Sequence, residues 1–247
     1  MWYKLTWMYV GQQKIRPSGW WGWQPWANTI AYYPLDSTNT VNDLSGNNYT
    51  LTNWNSTPFQ TYYGVDCAVF DHTLYNYFEA QWLDTSIIWN TLTVSIWCNT
   101  PFLENGNNET AYKIIGTQRD SPYRWWCLDY YTNWSNTEFS RMEVLGSNWS
   151  ALYNQLPSAN VRHNLIWTYN GSNITFYIDG VQVATGTARL STSDPWTLQI
   201  GRALWGIWID DSYFDWWISA IIIEDQVRDA TMISDYYDLT KWNYWIS

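Results

Sequence analysis

The chain has 247 residues, 22 of them acidic and 12 basic, for a formal net charge of −10. That length buries a full core in one all-β domain, and the acidic balance excludes a partner held by Lys and Arg replacing phosphate counterions, so nucleic acid is not expected. Charged residues make up 14% against 20% aromatic, no stretch reaches the ~20 apolar residues that span a bilayer, and MWYKLTWMYVGQQK lacks the apolar run of a cleavable signal.

In chain order, residues 1–26 stand apart. A strand signal, LTWMYVG (5–11), runs into KIRPSG and the Trp/Gly/Pro run WWGWQPW (20–26), where Pro17, Pro25 and neighbouring glycines disfavour a core element. Yet Trp2, Trp7, Trp20, Trp21 and Trp23 are too much apolar area to leave wet. The segment therefore reads as an arm lying against this domain or a neighbouring subunit.

From Ala27 the strand signals become regular. A strand over 28–36 closes at Pro34, a turn centred on Ser45-Gly46-Asn47 leads into a short strand, and 64–71 and 76–80 follow. In LTVSIWCN (92–99), Leu92, Val94 and Ile96 share one face. Further strands are expected at 113–118, 124–131 and around 142–145, then at 163–169, 173–178 and 181–187, and finally at 197–201 and 217–225. The last trio is separated by Asn170-Gly171 and Asp179-Gly180, dipeptides suited to the positive φ of type I′ turns, which predicts two successive hairpins. Only 229–240 has helical spacing, with Asp229 as its cap and Met232, Ile233, Tyr236 and Tyr237 on one face. About a dozen short strands without a repeat point to an all-β, antiparallel sandwich or barrel, and the one-sided apolar alternation of 173–178 is the signature of a two-sheet sandwich, here with one short C-terminal helix and an extended N-terminal arm. The division expected is 1–26 arm, 27–241 sandwich and 242–247 tail. Cys67, Cys98 and Cys127 lack the close spacing of a zinc or redox site and read as free buried thiols, with one Cys–Cys bridge as the alternative.

AYYPLD, NDLSGNN, CAVFD, LTVSIW, HNLIWTYNGSNITFYIDGVQVATG, LQIG, ISAIIIED and ISDYYDLTK, in this order and spacing, resemble the laminin-G-like, concanavalin A-like jelly-roll domains over roughly 27–241. The resemblance implies the fold, and it leaves open lectins, adhesion modules, accessory domains of enzymes and parts of viral particles. The N-terminal YVGQQKIRP resembles the start of bacteriophage tail and other virion structural proteins, which implies a virion location after synthesis without a signal peptide, and self-association or other virion proteins as partners of the 1–26 arm. Two positions depart from the jelly-roll pattern: His72 and Trp216 stand where the family usually has Gly. With 22 tryptophans in the chain, one reading is that some, Trp216 or Trp21 among them, reflect a recoded UGA codon.

For chemistry, the glucanases of this fold use two Glu in an E-x-D-x-x-E arrangement, which Glu104, Glu109, Glu138, Glu143 and Glu224 never form; a G-x-S-x-G nucleophile is also missing. No enzyme is expected. The resemblance places Asp43, Asn47 and Asp71 near a rim Ca²⁺, since their hard oxygens suit that ion; Asp-x-Ser-Gly-Asn is equally a good turn. Glycan binding needs exposed aromatic planes bordered by Asn, Asp or Arg. RWWCLDYYTNW (124–134) and RALWGIWIDDSYFDWW (202–217) have that composition, which makes Trp125, Trp126, Trp134, Trp205 and Trp208 the candidates. His163 reads as a hydrogen-bonded structural residue. The function expected is a non-enzymatic structural or appendage protein of a phage particle that also contacts glycans, with a free-standing carbohydrate-binding or adhesion module of a cell surface as the alternative.

Overall fold

The computed structural model describes residues 8–10, 13–15, 28–62, 64–83, 91–99, 110–118, 125–132, 138–145, 149–155, 157–158, 160–188, 196–203 and 212–244. Among the described residues, strands β1 (Met8–Val10) and β2 (Gln13–Ile15) pair only with each other. After them come β3 (Thr29–Tyr33), β4 (Thr52–Trp54), β5 (Phe59–Tyr62) and β6 (Val65–Val69), a 3₁₀ turn at His72–Leu74, and β7 (Tyr77–Leu83). The middle of the chain forms β8 (Leu92–Asn99), β9 (Thr110–Gln118), β10 (Trp125–Thr132), β11 (Glu138–Leu145) and β12 (Trp149–Gln155). Next are β13 (Arg162–Tyr169), β14 (Asn173–Ile178), β15 (Val181–Thr187) and β16 (Trp196–Ile200). The short β17 (Arg202–Ala203) and β18 (Ser212–Tyr213), then β19 (Trp217–Glu224) and the helix α1 (Ala230–Tyr244), complete it.

Two antiparallel sheets face each other. One runs β12-β11-β10-β9-β16-β7-β4; the other runs β15-β14-β13-β8-β19-β6-β5, with β3 also paired to β19. Alternate residues point between them: Phe78 and Ala80 of β7, Leu128 and Tyr130 of β10 and Leu198 of β16 meet Val94, Trp167, Phe176 and Ile221 from the other layer in one cluster. This is the expected antiparallel jelly-roll sandwich.

The hairpins form as the sequence dictates, with one shift. Asp179 (φ 51°) and Gly180 (φ 79°) both take positive φ between the paired Ile178 and Val181, the type I′ pattern. At the other turn Asn170 N–H donates to Asn173 O at 3.1 Å. The two central residues there are Gly171 and Ser172, with positive φ at Gly171 and not at Ser172, which is the II′ pattern. The turn thus sits one residue later than expected, and the Asn170 side chain clamps it by accepting from Asn173 N (2.8 Å).

The outer face of the eight-stranded sheet is covered by α1. Asp229 caps it, accepting from Met232 N at 2.9 Å, and Ile233 and Tyr236 bury themselves against Tyr32, Ile166, Tyr177 and Ile222. As a result β8 and β13 are buried along their whole length, on both faces. The three cysteines are buried and form no disulfide, and burial raises the Cys67 thiol to about 11 and the Cys98 thiol to about 12, so both stay protonated and inert.

Candidate functional site

Strand alternation fixes what the outer face of the seven-stranded sheet carries. Since Phe78, Leu128 and Leu198 point into the core, their neighbours Tyr77, Glu79, Asp129 and Gln199 point the other way. Asp129 lies opposite Lys113 on β9 and opposite Arg141 on β11. All three are buried. The Arg141 guanidinium donates to both carboxylate oxygens (Nε 2.9 Å, Nη2 2.7 Å), and Lys113 Nζ donates to the same carboxylate and to Cys127 Sγ at 3.3 Å. Burial pushes the Asp129 carboxyl up, but the charges and hydrogen bonds of Lys113 and Arg141 outweigh it and hold the group below its ordinary range. Arg141 also lies 3.8 Å from the centre of the Tyr131 ring. The middle of this face is therefore a closed polar layer.

Toward the β4 edge the face opens. Trp54, opposite Tyr77 in the register, stacks on that ring with planes 10° apart and centroids 5.9 Å apart, and stays 42% exposed because β4 is a three-residue edge strand. Tyr75, 58% exposed, meets Tyr213 edge-on at 5.2 Å. Its backbone is left-handed (φ 53°), ending the 3₁₀ turn that Asp71 caps by accepting from Thr73 N. Asn55 Nδ2 donates to Tyr75 O at 2.8 Å and joins the two segments. Behind the planes, the Arg202 guanidinium lies 4.9 Å from the Tyr77 ring and 5.1 Å from the Tyr213 ring. Arg202 is aimed there by Gly201, whose positive φ turns the chain and whose absent Cβ makes room for Phe70, since a Cβ would lie 2.2 Å from that ring. Exposed aromatic planes bordered by an amide and a guanidinium are what a pyranose ring stacks on.

Beside this patch, Asp71, His72 and Asp215 bring ligand-type atoms within 4.8 Å of one another; His72 Nδ1 lies 2.9 Å from Asp215 Oδ2. Of the residues expected at a calcium rim, only Asp71 is here. Asp43 accepts from Tyr32 N, Ser45 N, Ser45 Oγ and Tyr49 N, and Asn47 Nδ2 donates to the carbonyls of Thr29 and Ile30. Both pin their turn to β3.

The expected glycan-binding tryptophans fall differently. Trp126 is corrected: it is 3% exposed and packs edge-on against Trp167 at 4.8 Å, so its ring offers no plane to a sugar. Trp125 opens β10 opposite Leu145, and its side chain is outside the description. Trp134, Trp205 and Trp208, like Trp21 and the tryptophans of the arm, lie outside the described residues. Trp216, which stands where the jelly-roll pattern usually has Gly, packs on the core, 5.3 Å from Tyr112 and 6.0 Å from Phe214. His163 bonds Asp179 and the carbonyl of Ser158, as a structural residue does. Trp54 and Tyr75 were missed; the signal for Trp54 is its place beside Asn53 and Asn55 in a run too short to be an interior strand. Arg202 and Tyr213, however, lie within the 202–217 stretch singled out by composition.

No protein family and no curated sequence matches the chain. Solved structures do match its fold. Domain 4 of a GH43 extracellular arabinanase from Geobacillus stearothermophilus, in complex with arabinotriose, superposes with a TM-score of 0.63 at 17% identity, over 84% of this chain and 97% of that one. The botulinum neurotoxin serotype C1 binding domain gives 0.66 at 15% identity, over 86% and 52%. The binding domain of botulinum neurotoxin DC in complex with SialylT gives 0.64 at 13%, over 85% and 51%. The chain thus spans about half the length of the botulinum domains and nearly all of the arabinanase domain. These likenesses define its class as a jelly-roll β-sandwich. Among the described residues, no helix is long and apolar enough to cross a membrane.

Proposed function

We propose that this chain is a non-enzymatic structural or appendage protein of a phage particle whose sandwich contacts glycans, and that the contact is made by the Trp54–Tyr77–Tyr213–Tyr75 patch. The carrying observation is that two large aromatic rings, Trp54 and Tyr75, are left exposed while being held by Tyr77 and Tyr213, the two rings that the Arg202 guanidinium packs against. The arabinotriose complex of the arabinanase domain, which this fold spans almost entirely, supports it, and the SialylT complex of the botulinum DC binding domain, of which the fold spans about half, is consistent with it. The virion half rests on the resemblance of YVGQQKIRP to phage tail proteins and on the 1–26 arm as the contact with neighbouring subunits. A second reading, a free-standing carbohydrate-binding module of a cell surface, is favoured by the near-complete match to a single enzyme-appended domain.

A glycan array probed with the purified chain tests the contact. Binding to at least one glycan, lost in Trp54→Ala but kept in Val181→Ser, whose residue lies on β15 of the other sheet, is expected. Loss of binding in Trp205→Ala alone, with Trp54→Ala unaffected, would move the site to the 204–211 segment.

A further inference from the structure

From the geometry of the same patch we infer that its ligand is an oligosaccharide of at least two consecutive sugar rings, bound along the chain and not only at a terminal residue. This rests on the glycan reading above and adds a size class to it.

Two separate planes are exposed. Trp54 presents one, fixed by its near-parallel stack on Tyr77; Tyr75 presents the other, fixed edge-on to Tyr213. Their backing rings are themselves coupled, with Tyr77 and Tyr213 centroids 6.2 Å apart and Arg202 against both. The Asn55–Tyr75 bond ties the end of β4 to the 3₁₀ turn. The planes therefore do not move independently, and pre-organised planes cost little ordering entropy when a ligand settles on both. One sugar covers one aromatic plane. A second, linked sugar reaches the other plane already tethered, so its contact adds to affinity without a second loss of translational freedom. Among the described residues no strand continues the sheet beyond the three-residue β4, which suits a chain passing over it. Asp215 and His72, partly exposed beside Tyr75, offer acceptor and donor atoms to ring hydroxyls.

The test is titration calorimetry of the full chain with the sugars of the best array ligand, taken as a ladder from monosaccharide to hexasaccharide. Affinity should rise about tenfold or more between one and two sugars, and Trp54→Ala and Tyr75→Ala, both at exposed positions, should each flatten that step while keeping the wild-type circular dichroism spectrum. Equal affinity for monosaccharide and hexasaccharide overturns the two-ring inference and leaves the glycan reading standing. A length step untouched by both substitutions overturns it too, by placing the chain elsewhere. No binding along the whole ladder overturns the glycan reading itself.

Discussion

Asp129 is the residue on which the middle of the seven-stranded sheet turns. It is fully buried between two cations, and neither Lys113 nor Arg141 is more than 6% exposed in its side chain. Replacing a buried ion cluster wholesale with apolar groups is often neutral, but removing one member leaves the others charged and dry. Asp129→Ala is therefore expected to lower stability by about 3–5 kcal/mol, read as a shift of the urea midpoint at constant slope. An unchanged midpoint would mean that the cations find water instead. Because the folded carboxyl is held below its unfolded range, its contribution is present at neutral pH and is lost as pH falls through the folded value.

At the scale of elements, α1 is docked through a second buried pair with the opposite linkage. Glu224, on β19, receives Arg228 Nε at 2.9 Å and Nη2 at 2.6 Å, and Arg228 N donates to Thr93 Oγ1 on β8, so the pair fastens the loop before the helix to the sheet. Burial dominates and raises the Glu224 carboxyl to about 7, although Arg228 pulls it down. A raised acid takes up a proton on folding between its ordinary 4.5 and about 7. Its stabilising contribution is thus complete below the lower value and fades as pH rises through the upper one. Glu224→Gln should remove that slope: the difference in unfolding free energy between variant and wild type should change steadily from pH 4.5 to 7 and then level off. A difference constant across the window would show the carboxyl ionised throughout.

For the whole molecule, the proposal is one of division of labour: a sandwich that carries the glycan patch and an arm that makes subunit contacts. Deleting residues 1–26 should leave the cooperative unfolding transition of the sandwich and its glycan binding in place, while the sedimentation coefficient falls from that of an assembly to that of a 247-residue chain less its arm. A wild-type chain that sediments as a monomer would instead favour the free-standing module.

Much of this was written locally. Period-two alternation, positive-φ dipeptides and an Asp cap act within a few residues, so the strands, the reversal at Asp179-Gly180 and the helix after Asp229 are legible without a partner. Even the inward turn of Trp126 was available, because it shares its phase with Leu128 and Tyr130, while Asp129 marks the opposite phase; composition alone had treated both tryptophans of the pair as equal. What the sequence could not state is which outward side chains stay wet. Thr93, Ser95 and Tyr177 are closed over by a helix arriving from the far end of the chain, whereas Trp54 remains open because its strand ends a sheet. That distinction depends on strand order and on what packs across it, and those contacts are set by residues distant in the chain, which only the assembled tertiary structure brings together.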